Sequence, residues 1–135
     1  MATITQPDYR ARTAVTISAL IVAVAAGIVN ALIALGAVAL GAEAVGGLQP
    51  IAYLGLTIIA AVAGAFGWHI VNLRARRPAN VMGWLVPAFL VVSFIPDIVV
   101  GASMGWLVAG SLMLMHVATI TIAVLAYRRL MPLRG

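Results

Sequence analysis

Charged residues punctuate this chain so sparsely that they divide it into four long apolar tracts, and that division constrains the fold more than any other feature. The tracts run from Thr13 to Ala42, Ala44 to Leu73, Pro78 to Pro96 and Ile98 to Tyr127. Each approaches or exceeds the roughly 20 residues that a helix rising about 1.5 Å per residue needs to cross the hydrocarbon core of a bilayer. Only 8% of the 135 residues are charged and 64% are hydrophobic, far from the balance of a soluble domain. The chain reads as an integral membrane protein with spans near 14–40, 51–73, 80–101 and 105–127. A closed β-barrel would also satisfy its backbone in lipid, but runs such as "ALIVAVAAGIV" and "SLMLM" do not alternate as barrel strands must.

The eight basic residues are all arginine. Arg10 and Arg12 precede the first span, Arg74, Arg76 and Arg77 separate the second from the third, and Arg128, Arg129 and Arg134 follow the fourth. Four spans put all three groups on one side, which the positive-inside rule makes the cytoplasm. The expected fold is therefore all-α: a membrane-spanning up-down four-helix bundle with both termini cytoplasmic. Residues 1–12 form a cytoplasmic arm, 13–127 the transmembrane domain and 128–135 a basic tail. The opposite connections, around Glu43 to Pro50 and Ala102 to Met104, carry no positive charge, which argues against dual topology. Charge of this kind reflects topology, so nucleic acid is not an expected partner. The "AEA" at Ala42 to Ala44 has the small-x-small look of a cleavage site, but the apolar run before it is about twice a normal signal-peptide core. It is read as a retained span.

Several exclusions follow from residue types. With no cysteine there is no disulfide and no thiol chemistry. No nucleotide loop, Ser/His/Asp set, HExxH helix or pair of carboxylates is present, so no enzymatic activity and no cofactor are expected. Small multidrug exporters keep a glutamate in their first span, where this chain has only Asn30, and the Gly-Arg-Tyr type motif of fluoride channels is missing.

Small residues recur at helical spacing, as membrane helices require for close approach. Gly27 in span one, Gly64 and Gly67 in span two, and Gly105 and Ala109 in span four are the candidate packing positions. They suit internal packing of one monomer, a homo-oligomer, or attachment to other membrane subunits.

Ionisable groups at depth cost at least about 2.5 kcal/mol on insertion scales, which makes each a functional candidate. Asp97, in "SFIPDIVV", follows Pro96 and shares a face with Ser93. It is expected either to stay hydrated near the outer surface or to accept backbone amides where Pro87 and Pro96 interrupt the third helix; a proton or cation site is the sharper alternative. His116 lies near the centre of span four, level with Asn30, and an Asn30–His116 hydrogen bond is the simplest expectation. Helix rise places Asp97 and His116 about 10 Å apart in depth, which disfavours a direct relay between them. His69 is also about 10 Å off level, too far to share an axially ligated haem with His116.

"GIVN" in span one, the W-x(5)-R ending of span two, "SFIPD" and "LMLMHV" together resemble an actinobacterial family of small four-helix integral membrane proteins of unknown function. The resemblance implies the four-helix topology and draws attention to Asn30, Ser93, Pro96, Asp97 and His116, but it implies no activity. Two functions are thus expected to compete. One is a non-enzymatic protein acting by helix packing, as a homo-oligomer or accessory subunit of a membrane complex. The other is a proton- or ion-coupled small-solute transporter or channel that uses Asp97 with Asn30 and His116.

Overall fold

The computed structural model describes residues 6–134. Four helices account for nearly all of them: α1 (Gln6–Ala39), α2 (Pro50–Arg74), α3 (Pro78–Met104) and α4 (Trp106–Leu130), with a short 3₁₀ turn at Gly46–Leu48. All four are long and apolar enough to cross a membrane. Pro50 and Pro78 open α2 and α3, where the proline's missing N–H has no helical partner to lose. Arg74 in α2 and Arg128 and Arg129 in α4 occupy the last turns, where cations complement the helix dipole.

The helices overrun the spans expected from composition. α1 is already helical at Gln6, so the polar lead from Gln6 onward continues the first helix; Pro7 is tolerated because it lies in the first turn. Residues 1–5 of that arm, and residue 135 of the tail, lie outside the described residues. α3 is also one continuous helix with Pro87 and Pro96 inside it, rather than a helix interrupted at them. Each proline removes one backbone bond, but an opened backbone would leave more groups unsatisfied in lipid.

α1 packs against both α2 and α4, α3 rests mainly on α4, and α2 and α3 barely meet. The helices therefore stand in the order α2, α1, α4, α3 around a groove between α2 and α3 that has α4 as its floor. Two small cores hold this arrangement. Toward the arginine-rich end Val22, Ala26, Ala61, Ala65, Trp68 and Tyr127 pack together. Toward the helix connections Ala34, Ala37, Leu48, Val108 and Met115 do so. Leu48 belongs to the 40–49 connection, which thereby folds back onto the bundle. Gly46 lies beside Met104 and Gly47 against Leu112, so that connection meets the one between α3 and α4. The latter is a single residue, Gly105, at φ +98°, a conformation that side-chain-bearing residues rarely adopt.

The other end is fastened by the C-terminal residues. Trp68 Nε1 donates to the Met131 carbonyl at 2.9 Å and Asn72 Nδ2 to the Pro132 carbonyl at 3.0 Å. The Arg134 backbone N–H donates to Asn72 Oδ1 at 3.0 Å, and its guanidinium donates to the Asn72 carbonyl. Asn72→Ala is expected to speed amide exchange at Arg134 by roughly fivefold, the equivalent of about 1 kcal/mol for a lost hydrogen bond; hydrogen exchange followed by mass spectrometry measures it.

Large apolar side chains point outward around the bundle, among them Leu20, Leu32, Leu35, Ile59 and Leu125. In water such a surface would drive aggregation. In lipid it is the expected exterior, and association of the helices then depends on close packing and hydrogen bonds. The chain is a multi-pass membrane protein.

Candidate functional site

Asn30, Thr57, Asp97, His116 and Thr119 converge at one level of the groove. Asn30 of α1 reaches between α2 and α4, where its Nδ2 donates to Thr57 Oγ1 at 2.8 Å and Thr119 Oγ1 at 3.0 Å. The Thr57 hydroxyl in turn donates to the Tyr53 carbonyl at 2.6 Å. That last bond fixes the orientation of the amide. With its proton committed to Tyr53, the Thr57 oxygen can only accept, so the NH₂ of Asn30 must face it. Asn30 is 2% exposed, and its Oδ1 is left with no hydrogen-bond partner.

Beside it, α3 and α4 bring Asp97 and His116 together. His116 Nδ1 stands 3.0 Å from Asp97 Oδ2. The contact has ion-pair distance but lies off the line of a hydrogen bond, so neither atom has a well-directed partner. Asp97 is 4% exposed, whereas the imidazole is open on one side and meets the edge of Phe94 at a centroid distance of 6.4 Å. A carboxylate so enclosed is tolerable only with a charge or a proton close by, and an imidazole is the side chain that supplies or withdraws a proton near neutral pH.

Asn30, Asp97, His116 and Thr119 line one cavity of about 170 Å³ with Tyr53 and Phe89. A second cavity of about 310 Å³ continues it toward the arginine-rich end and shares Ala60, Phe89, Thr119 and Ile120 with it; Gly64, Gly67, Trp68 and Tyr127 line it further along. Together they form a largely apolar groove whose few polar side chains gather at one end, open between α2 and α3. Its larger part falls in the size range of small-molecule sites. Among the described residues no group of three His, Asp or Glu side chains comes together as a metal site.

Several sequence expectations are corrected here. Asn30 bonds Thr57 and Thr119 rather than His116. Asp97 is enclosed rather than hydrated at a surface, and it touches His116 instead of lying a helix turn or two away in depth. Ser93 spends its hydroxyl on the Leu90 carbonyl of its own helix at 2.7 Å and does not line the groove. The packing residues divide. A Cβ on Gly27 would sit in ordinary contact with Leu54, Gly64 is pressed against Tyr127, and Ala109 is fully buried. Gly67 and Gly105 face open space, so the first lines the groove and the second serves the turn. Thr57 was not foreseen; its only signal is a hydroxyl in span two at the level of Asn30.

Replacing Asn30 by leucine removes two hydrogen bonds, each worth about 0.6 kcal/mol on average between membrane helices, but it also removes the orphaned carbonyl oxygen. Asn30→Leu is therefore expected to change stability by less than about 1 kcal/mol, which denaturant unfolding in detergent can check.

No curated protein and no solved structure matches the chain. A family model does match it, over residues 10–132, and by that match the chain belongs to DUF6069, a family of unknown function.

Proposed function

We propose that this protein is a proton-coupled transporter of a small solute, with Asp97 and His116 as the titrating pair and Asn30 as a ligand-facing acceptor. The observation that carries this reading is the 3.0 Å contact between His116 and an enclosed Asp97 on the wall of an intramembrane groove. A group that only held helices together would be better served by an apolar pair, because charges buried in lipid are costly. A pair that gains and loses a proton while facing a cavity is what coupling requires.

The reading includes an up-down bundle with both termini in the cytoplasm of a bacterial, actinobacterial host. The orientation is supported by the contacts of Trp68 and Asn72 with residues 131–134, which gather Arg74, Arg76 and Arg134 at one end, and by the preference of arginine for the cytoplasmic face.

Action by helix packing, as a homo-oligomer or accessory subunit, is the second reading. What favours it is the thin cover on α3, of whose most apolar stretch only 11% is buried. A second copy or another subunit against α3 is compatible with transport through the groove.

Proteoliposomes with a trapped pH-sensitive dye test the proposal. After a step of about one pH unit, the protein should move protons only when a transported solute is present. Proton movement that no solute alters, across a panel of cations, amines and neutral solutes, would count decisively against coupling.

A further inference from the structure

Building on the reading of Asp97 and His116 as a working site, we propose that the groove takes a protonated lipophilic amine. Its ammonium group sits at the polar end in exchange for the proton held by the pair.

Four observations converge on that class of ligand. The first is the Oδ1 of Asn30, enclosed and without a partner. A buried acceptor in this state calls for an N–H or O–H donor, and the Thr57–Tyr53 bond prevents the amide from turning to offer its NH₂ instead.

The second is charge. The titratable side chains on the polar compartment are Asp97 from α3, His116 from α4 and Tyr53 from α2; α1 contributes the neutral Asn30, and the 40–49 connection contributes Gly47. No arginine lines either compartment among the described residues; Arg74, Arg76 and Arg134 line a separate hollow at the other end. With His116 neutral the compartment carries one negative charge, which excludes anions and attracts cations.

The third is the aromatic lining. Phe89 lines both compartments and Tyr53 the polar one, and aromatic faces attract desolvated ammonium groups. The fourth is the apolar remainder of the groove, where Ala60, Ala63 and Gly67 leave room beside Val86 and Leu85. An organic body enters there from the lipid side, whereas a bare metal cation would find no further oxygen ligands.

These features also separate amines from related ligands. A quaternary ammonium satisfies the charge but not Asn30. An alcohol satisfies Asn30 but not the charge. A primary ammonium satisfies both, and its arrival expels the proton held by the Asp97–His116 pair to water: one X–H bond of the pair breaks, one O–H bond of hydronium forms, and one cation replaces another.

The test is equilibrium dialysis of 4-phenylbutylamine, its N-trimethyl analogue and 4-phenylbutanol against the full-length protein in lipid nanodiscs, with empty nanodiscs as the blank. An alkylamine stays protonated throughout the range used, since its pKa is close to that of lysine, about 10.4. Saturable binding of the amine is expected at pH 8. It should weaken at least tenfold at pH 5 and in Asp97→Asn, and a pH dye should record up to about one proton released per amine bound at a pH between these two. The trimethyl analogue should bind at least fivefold more weakly, and Asn30→Leu should erase that difference.

Equal binding of the alcohol, or amine binding that neither pH nor Asp97→Asn alters, would overturn the proposal and indicate simple partition into lipid. The pH comparison uses the unaltered protein, so it decides the matter even if a variant fails to insert. Amine bound with proton release but never carried across a liposome would sink the transport reading and leave this site standing. Proton-coupled movement of another solute, with no amine binding, would do the reverse.

Discussion

Asp97→Asn is expected to abolish solute-dependent proton movement in proteoliposomes while leaving the protein at least as stable as the parent. The two halves of that expectation have different origins. Asparagine keeps the shape of the side chain but cannot become anionic, so the site can no longer pass between neutral and negative as a proton leaves. Coupling is lost because the negative state was the one that attracted a cation. Stability survives because removing one partner of a buried pair is damaging only when the other is left as an uncompensated charge. His116 can shed its proton and remain as a neutral imidazole, half open to the groove. Asp97→Glu, which restores the carboxylate one methylene further along, should recover part of the activity. His116→Gln should retain the solute site but alter the pH dependence of transport, because glutamine cannot take up a proton. Flux measurements paired with unfolding in detergent separate these outcomes. If Asp97→Asn lost stability and activity together, the pair would be holding the bundle together and the proposed coupling would fall.

The four spans were legible because the bilayer imposes them. A charge inside a span is expensive, so the arginines mark the end of α2, the start of α3 and the end of α4 almost directly. The groove was not legible, because it arises from which helices touch: α3 lies on α4 and barely meets α2, and no residue pattern in α3 announces that choice. The Asp97–His116 contact was within reach but was sought from the wrong reference. Depth measured from the centre of each span puts the two far apart. Measured from the turn between α3 and α4, Asp97 lies eight residues before Gly105 and His116 eleven after it. In a tight helical hairpin those positions differ by three residues, or about 4.5 Å of rise, which side chains can span. The one-residue turn that makes this counting valid depends on Gly105 at φ +98°, and nothing in its neighbours distinguishes it from the other glycines.

Gly64→Leu and Gly67→Leu, three positions apart on the same helix, are expected to fail in opposite ways. A Cβ on Gly64 would already stand 3.0 Å from the Tyr127 hydroxyl oxygen. That hydroxyl donates to the Ala61 carbonyl at 2.7 Å, and the Tyr127 ring packs at 5.7 Å on Trp68, which holds the Met131 carbonyl. A leucine there must displace Tyr127 and loosen each contact in turn, at a cost of about 1–3 kcal/mol for overpacking together with the lost hydrogen bond. Unfolding in detergent should show that loss directly, with faster amide exchange at residues 131–134. A Cβ on Gly67 would have nothing within 4 Å, and the residue lines the wider, apolar compartment. The added Cβ meets nothing within 4 Å and the rest of the side chain has the cavity to extend into, so stability should be unchanged within about 0.5 kcal/mol. Its side chain instead occupies the space into which the body of a ligand would extend, and transport of bulky solutes should fall while that of the smallest persists. A pure packing role for the small residues of α2 predicts the contrary result, in which both substitutions destabilise the bundle alike. Equal loss of stability at the two positions would show that α2 and α3 close over the groove in the membrane and leave no room for a solute.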